Sequence, residues 1–248
     1  MQSSPDKHDN MNEREAIFAR IREALRASAP RPGQHVDDHI APPAETAGLG
    51  RVSPRLDSPD FTPLLPRVGA SFDELATSFA AASKELRTDF QLLVSQAEAV
   101  GKLAALRDAE GWQRVAAHKG LLASPVAESL GLPVLRTDGG YAKADLERCD
   151  AGITECDVLI AQTGSVVVTS ASAGGRGLSV LPPHHVVLAR RDQLVPDLPT
   201  AFRLLQAKYA GAYPSMISFI TGPSRTGDIE RILVLGAHGP KKLTVLCW

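Results

Sequence analysis

Thr221-Gly-Pro-Ser-Arg-Thr-Gly-Asp-Ile-Glu230 directly follows the apolar run Met216-Ile-Ser-Phe-Ile220. That order predicts a buried strand passing through a Gly-Pro turn into a short helix at 225–230. Free N–H groups at a helix start, beside the fixed positive charge of Arg225, make an anion site. Gly222, Ser224, Arg225 and Thr226 are its donors, and the arginine fork matches a planar carboxylate or phosphate. The same hydroxyls also suit plain helix capping, with Asp228 and Glu230 complementing the positive end. Thr163, Gly164 and Ser165 form a second group, a turn whose glycine permits close backbone approach to a ligand. Arg176, in the loop Ala173-Gly-Gly-Arg-Gly177, brings a second cation. That loop lacks the Gly-Lys-Ser/Thr ending of a nucleotide-phosphate loop.

Histidines offer acid–base chemistry near neutral pH. His238, in Gly-Ala-His-Gly-Pro, is placed to face the 221–230 segment, and His118 ends an expected strand. His184 and His185 begin another strand, so their side chains take opposite faces. For each, a hydrogen-bonded structural role competes with catalysis. Glu155 and Asp157 alternate along one strand and so share a face, as an exposed pair at a strand edge. No Gly-x-Ser-x-Gly, His-Glu-x-x-His or ordered Ser/His/Asp set occurs, and no catalytic residue is assigned. Cys149, Cys156 and Cys247 are widely spread, with no Cys-x-x-Cys pair, so iron–sulfur ligation is not expected in this chain. His35 and His39 have a metal-compatible spacing, but a proline-dense segment gives them no helix to stand on, so no metal site is expected.

Elements able to position these groups alternate from Ser71 onward. Ser71 and Glu74 have capping-box spacing before a helix over Phe72–Leu86. A strand at Phe90–Val94, a helix at Gln96–Arg107 and a strand at Arg114–His118 follow. A short helix at Val126–Leu130 and an extended Pro133–Arg136 continue the alternation. The centre is strand-rich: Gly152–Asp157 leads into Val158–Ala161, and the Thr163–Ser165 turn leads into Val166–Thr169. Leu178–Leu181 reads as extended before Pro182-Pro183 and the strand His185–Ala189. A helix at Leu198–Tyr209 and strands at Met216–Ile220 and Lys242–Cys247 complete the chain. The pattern predicts an α/β domain with an open, mainly parallel sheet flanked by helices and a β-rich insertion.

Ahead of it, residues 1–29 form a helical extension with Ile17, Phe18, Ile21 and Leu25 on one face, and 30–70 a proline-rich linker. The α/β domain then occupies 71–248. A net charge of −1 over 248 residues gives no reason to expect nucleic acid. No run approaches the ~20 apolar residues of a membrane span, and Met1–Asn10 lacks a signal-peptide core, so a cytoplasmic location is expected.

The ordered succession Gly152-Ile-Thr…Asp157, Thr163-Gly164-Ser165, Arg176…Leu181-Pro-Pro-His-His185 and Gly222-Pro-Ser-Arg-Thr-x-Asp-Ile-Glu230 resembles the LUD domain family. Gly236-x-His238-Gly239-Pro240 extends the likeness, which covers roughly residues 70–248. Its length and absence of cysteine clusters are similar to the smaller, cluster-free members. Gln162 departs from the usual pattern, standing where an acidic residue often precedes Thr-Gly. The resemblance implies a fold similar to the ribose-5-phosphate isomerase, CoA-transferase and formyltetrahydrofolate cyclo-ligase group. It also implies a part in oxidising L-lactate to pyruvate beside two iron–sulfur partner proteins. This chain would then bind an anionic ligand or the partners, its own cofactor being unspecified. Two other readings stand beside it: a separate isomerase- or transferase-like enzyme for a phosphate- or CoA-bearing substrate, and a non-catalytic scaffold.

Overall fold

A computed structural model describes residues 67–226, 234–235 and 238–248, together with Glu15, Phe18, Ala19, Arg20, Arg22, Glu23 and Arg26. Those seven positions are helical and exposed; the rest of the N-terminal extension and nearly all of the linker lie outside the described residues. The chain divides into the units Met1–Pro59 and Asp60–Trp248, and the second holds every strand of the α/β domain.

Helix α1 spans Phe72–Leu86 and starts as its sequence predicts, with Ser71 and Glu74 closing a reciprocal capping box. Then come β1 (Asp89–Leu92), α2 (Gln96–Glu110), β2 (Val115–Ala117), α3 (Ala123–Glu128), β3 (Val134–Arg136) and α4 (Lys143–Glu147). Strands β4 (Ala151–Glu155), β5 (Val158–Ile160), β6 (Ser165–Thr169), β7 (His184–Ala189) and β8 (Leu194–Val195) lead to α5 (Leu198–Tyr209). The remainder is β9 (Ile217–Ile220), β10 (Arg225–Thr226), β11 (Val234–Leu235) and β12 (Lys242–Cys247).

Six strands form a wholly parallel sheet in the order β1-β12-β7-β4-β2-β3. A sheet covered on both faces needs strands that are apolar throughout, and every residue of β7 is buried. Val186 and Leu188 pack on one face with Leu103 of α2 and Val126 of α3. Val187 and Ala189 pack on the other with Leu75 and Phe79 of α1. The expected β-rich insertion is a second sheet, β8-β5-β6-β9, whose β5–β6 hairpin turns at Gly164 with φ of 62°. Leu159, Val166 and Val168 of this sheet join the α1 core, while Val158, Ile160 and Val167 meet Ala201 and Leu205 of α5.

Three local expectations are corrected. Arg225 and Thr226 do not open a helix: they pair antiparallel with Leu235 and Val234, and 227–230 lie outside the described residues. Leu178–Leu181 is a turn rather than a strand, Val180 and Leu181 both donating to the Gly177 carbonyl. Glu155 and Asp157 are not an exposed edge pair, because β4 lies between β2 and β7 and Asp157 is buried. No helix among the described residues is long and apolar enough to cross a membrane.

Candidate functional site

A parallel sheet gathers all its strand ends by type, and ligands in open α/β sheets bind outside the carboxyl ends. Here β2 runs out at His118, β4 at Glu155 and β7 at Arg190, and a cleft of about 670 Å³ lies between them. Lys119, Ser172, Lys208 and Tyr209 are among its other polar lining residues.

Close backbone approach shapes the floor of this cleft. Gly174 has φ of 60°, and a Cβ there would sit 2.0 Å from His118 Cβ. A Cβ on Gly120 would fall 2.1 Å from Glu155 Oε1, so a larger residue there would displace that carboxylate. His118 Nε2 accepts from the Glu155 backbone N–H at 3.2 Å, which assigns the imidazole proton to Nδ1. Burial lowers the His118 pKa, outweighing the nearby Glu155 and Asp138 charges, so the ring is neutral at pH 7.

Charged groups in the cleft are held by specific partners. The Glu155 carboxylate accepts from the backbone N–H groups of Leu122 and Ala123 at 2.8 and 3.1 Å. Lys208 Nζ lies 2.6 Å from Asp157 Oδ1, to which the Tyr209 hydroxyl donates at 2.7 Å. Burial opposes ionisation of Asp157, but hydrogen bonds from Lys208, Ser172 and Tyr209 together hold its pKa below the ordinary value. Burial also pulls on the Lys208 ammonium, and the Asp157 carboxylate more than offsets it. Arg190 Nε pairs with Asp192 at 3.1 Å. The result is a neutral imidazole, the Glu155 carboxylate and three cations around one opening, two of the cations anchored by a further carboxylate.

The nine residues singled out from the sequence fall into four places. Gly222, Ser224 and His238 line a smaller cavity of about 160 Å³ at the amino end of the sheet, with Ser179, His185 and Leu243. Thr163, Gly164, Ser165 and Arg225 instead gather at the end of α1. Thr163 Oγ1 donates to Ser165 Oγ at 2.8 Å, and Ser165 Oγ is 2.8 Å from Thr221 Oγ1. The Arg225 guanidinium donates to the Leu86 carbonyl, meeting one of the orphan acceptors at the helix end. A Cβ on Gly164 would stand 2.9 Å from Ala82 Cβ, so this turn lies directly on α1. Thr226 contributes backbone pairing to β11. Arg176 is exposed on its own loop, its Nε 3.4 Å from Ser215 Oγ.

The carboxyl-end cleft draws on residues that sequence reading did not single out: Lys119, Arg190, Lys208 and Tyr209. One signal pointed there, since His118 and Arg190 each follow a buried apolar strand. Lys208 and Tyr209 close a helix far along the chain, and nothing local marks them. All three cysteines are buried free thiols, and burial raises the Cys247 pKa to about 11. No group of three or more His, Cys, Asp or Glu among the described residues is placed to hold a metal.

Comparison with known proteins aligns with this architecture. The LUD domain matches residues 80–247. A relative from Shouchella clausii named lactate utilization protein C is 32% identical over 219 residues, covering 84% of this chain and 92% of that one. A protein of the same name from Bacillus subtilis is 34% identical over 119 residues, 46% of this chain and 50% of its own. The crystal structure of a DUF162 family protein from Deinococcus radiodurans superposes with a TM-score of 0.56 at 24% identity. It covers 72% of this chain and 99% of that one, a likeness of fold.

Proposed function

We propose a role in lactate utilization for this chain, which belongs to the LUD domain family. The observation that carries this reading is the Shouchella clausii relative, named for that role and aligned over 84% of the chain. The chain acts as a cluster-free component of a system that oxidises L-lactate to pyruvate, and iron–sulfur proteins carry the electrons. All three thiols are buried and free, Cys149 in a different core cluster from Cys156 and Cys247, whereas cluster ligation needs several thiolates converging on one point.

Within that reading the carboxyl-end cleft holds the anion. Lys119, Arg190 and Lys208 face one opening, and a carboxylate entering it gains charge-assisted hydrogen bonds. Asp157 and Asp192 keep two of these cations in place before the ligand arrives, which lowers the ordering cost of binding. Neutral His118 forms a wall that adds no charge of its own. Cytoplasmic location follows from this role rather than from any feature of the fold.

Anaerobic affinity purification of the tagged chain from lactate-grown cells tests the partner component. Two iron–sulfur proteins should be retained, identified by visible absorption and mass spectrometry. Recovery of the chain alone under those conditions would contradict it.

A further inference from the structure

One carboxylate in the carboxyl-end cleft is at odds with the cations around it. Glu155 ends β4, and both its backbone and its side chain are fixed. Its N–H donates to His118 Nε2, and its Oε1 accepts from the Leu122 and Ala123 N–H groups at 2.8 and 3.1 Å. Oε2 has no hydrogen-bond partner among the described residues. It is not a buried orphan either: Glu155 is half-buried and lines the cleft, so this oxygen is open to whatever enters. Arg190 and Lys208 line the same cleft but pair with Asp192 and Asp157 instead.

A carboxylate only accepts hydrogen bonds, and beside a bound anion it repels. A simple carboxylate ligand would be better served without it. A ligand that carries an O–H next to its carboxylate is different. The cations then take the charge, and Oε2 accepts from the hydroxyl in a charge-assisted hydrogen bond. Lys119 precedes Gly120, where a Cβ would fall 2.8 Å from Glu155 Cδ, so a cation-bearing residue adjoins the segment packed on this carboxylate.

We propose that Glu155 is the specificity-determining residue of the cleft: its Oε2 accepts from the hydroxyl of a 2-hydroxy acid and so separates L-lactate from pyruvate. Pyruvate presents a carbonyl oxygen at the same place, an acceptor facing an acceptor, and is rejected. This role rests on the cleft being the carboxylate site proposed above. A glutamine at position 155 would have only one way to turn its amide. The Leu122 and Ala123 N–H groups need an acceptor, so the amide oxygen faces them and the NH2 faces the ligand, ready to donate to a ketone.

NMR titration of the full chain with L-lactate, pyruvate and propionate is the test. The wild-type chain should bind L-lactate about tenfold or more tightly than either of the others, the effect of one hydrogen bond to a charged group. Glu155→Gln, with an unchanged urea midpoint, should cancel or reverse the preference for L-lactate over pyruvate. The ratio is the readout, because removing a negative charge raises the affinity for every anion. Equal wild-type affinity for L-lactate and propionate, or a Glu155→Gln chain that keeps the wild-type ratio, would overturn the proposal and leave the cleft a carboxylate site. Binding of none of the three would overturn the assignment of the cleft to a carboxylate, and this role with it.

Discussion

Lowering the pH from 7 to 4.5 should remove about 5 kcal/mol from the stability of the α/β domain. The cause is the pair His184 and His185, which open β7 near the middle of the parallel sheet and are 4% and 1% exposed. Burial lowers their pKa values from 6.5 to about 4 and about 3. His184 Nε2 bonds Thr244 at 2.9 Å, its ring stacks edge-on against Trp112, and His185 is fixed by Thr154. Both are therefore neutral in the folded state, whereas the unfolded chain takes up two protons as pH falls below about 6.5. The stabilisation is complete above that pH and drains away toward the folded pKa values. Two units below 6.5, each histidine costs about 2–3 kcal/mol, and the pair about 5 kcal/mol. Domains of this size have only about 5–15 kcal/mol in total. Urea midpoints followed by circular dichroism should fall steeply between pH 6.5 and 4.5. A flat midpoint over that range would show that the histidines are not held neutral.

Gly152→Ala should be nearly as damaging, from a single methyl group. Gly152 pairs with Ala116 and His185 in the centre of the sheet. An added Cβ would lie 2.3 Å from the Leu178 backbone oxygen and 3.0 Å from Pro182 Cγ. The oxygen belongs to the turn beginning at Gly177, and Leu178 itself is fully buried against Ala116, Leu146 and Cys149. No flexible side chain can give way, so either the turn lifts or β4 shifts against both neighbours. Overpacking of this kind costs about 1–3 kcal/mol and more where backbone must move, so a loss of about 3 kcal/mol is expected. A Gly152→Ala protein of native stability would mean that the turn is not seated on the sheet.

Local signals were most informative where local forces decide the outcome. The Ser71/Glu74 box ahead of Phe72–Leu86 predicted a helix that the structure contains with those same bounds, as it does the helix expected at Leu198–Tyr209. The stretch His185–Ala189 after Pro182-Pro183 predicted a strand, and the structure holds one at His184–Ala189. Where long-range pairing competes, local reading was misled. Ser224, Thr226, Asp228 and Glu230 spell a helix start, yet Arg225 and Thr226 are drawn into pairing with Val234 and Leu235. Leu178 and Val180 alternate like a strand, but Leu178 drops into the core as part of a turn.

The site was legible only in part, and for the same reason. Glu155 and Asp157 share a face only if one strand continues through both. The chain instead leaves the parallel sheet after Glu155 and enters the second sheet at Val158. Glu155 therefore serves the first amides of α3, while Asp157 serves Lys208 and Tyr209. The Arg225 contact with the last carbonyl of α1 joins residues well over a hundred positions apart, which no local spacing reports. Spacing along a chain reports neighbours within an element; the cleft is made by four elements meeting at one sheet edge.

Growth on L-lactate as sole carbon source tests the central assignment most directly. A strain lacking this gene, and any redundant lactate dehydrogenase, should grow on glucose but fail on L-lactate. The intact gene should restore growth, and a stably folded Lys119→Ala/Arg190→Ala double variant should not. Normal growth of the deletion strain on L-lactate would contradict the assignment to lactate utilization.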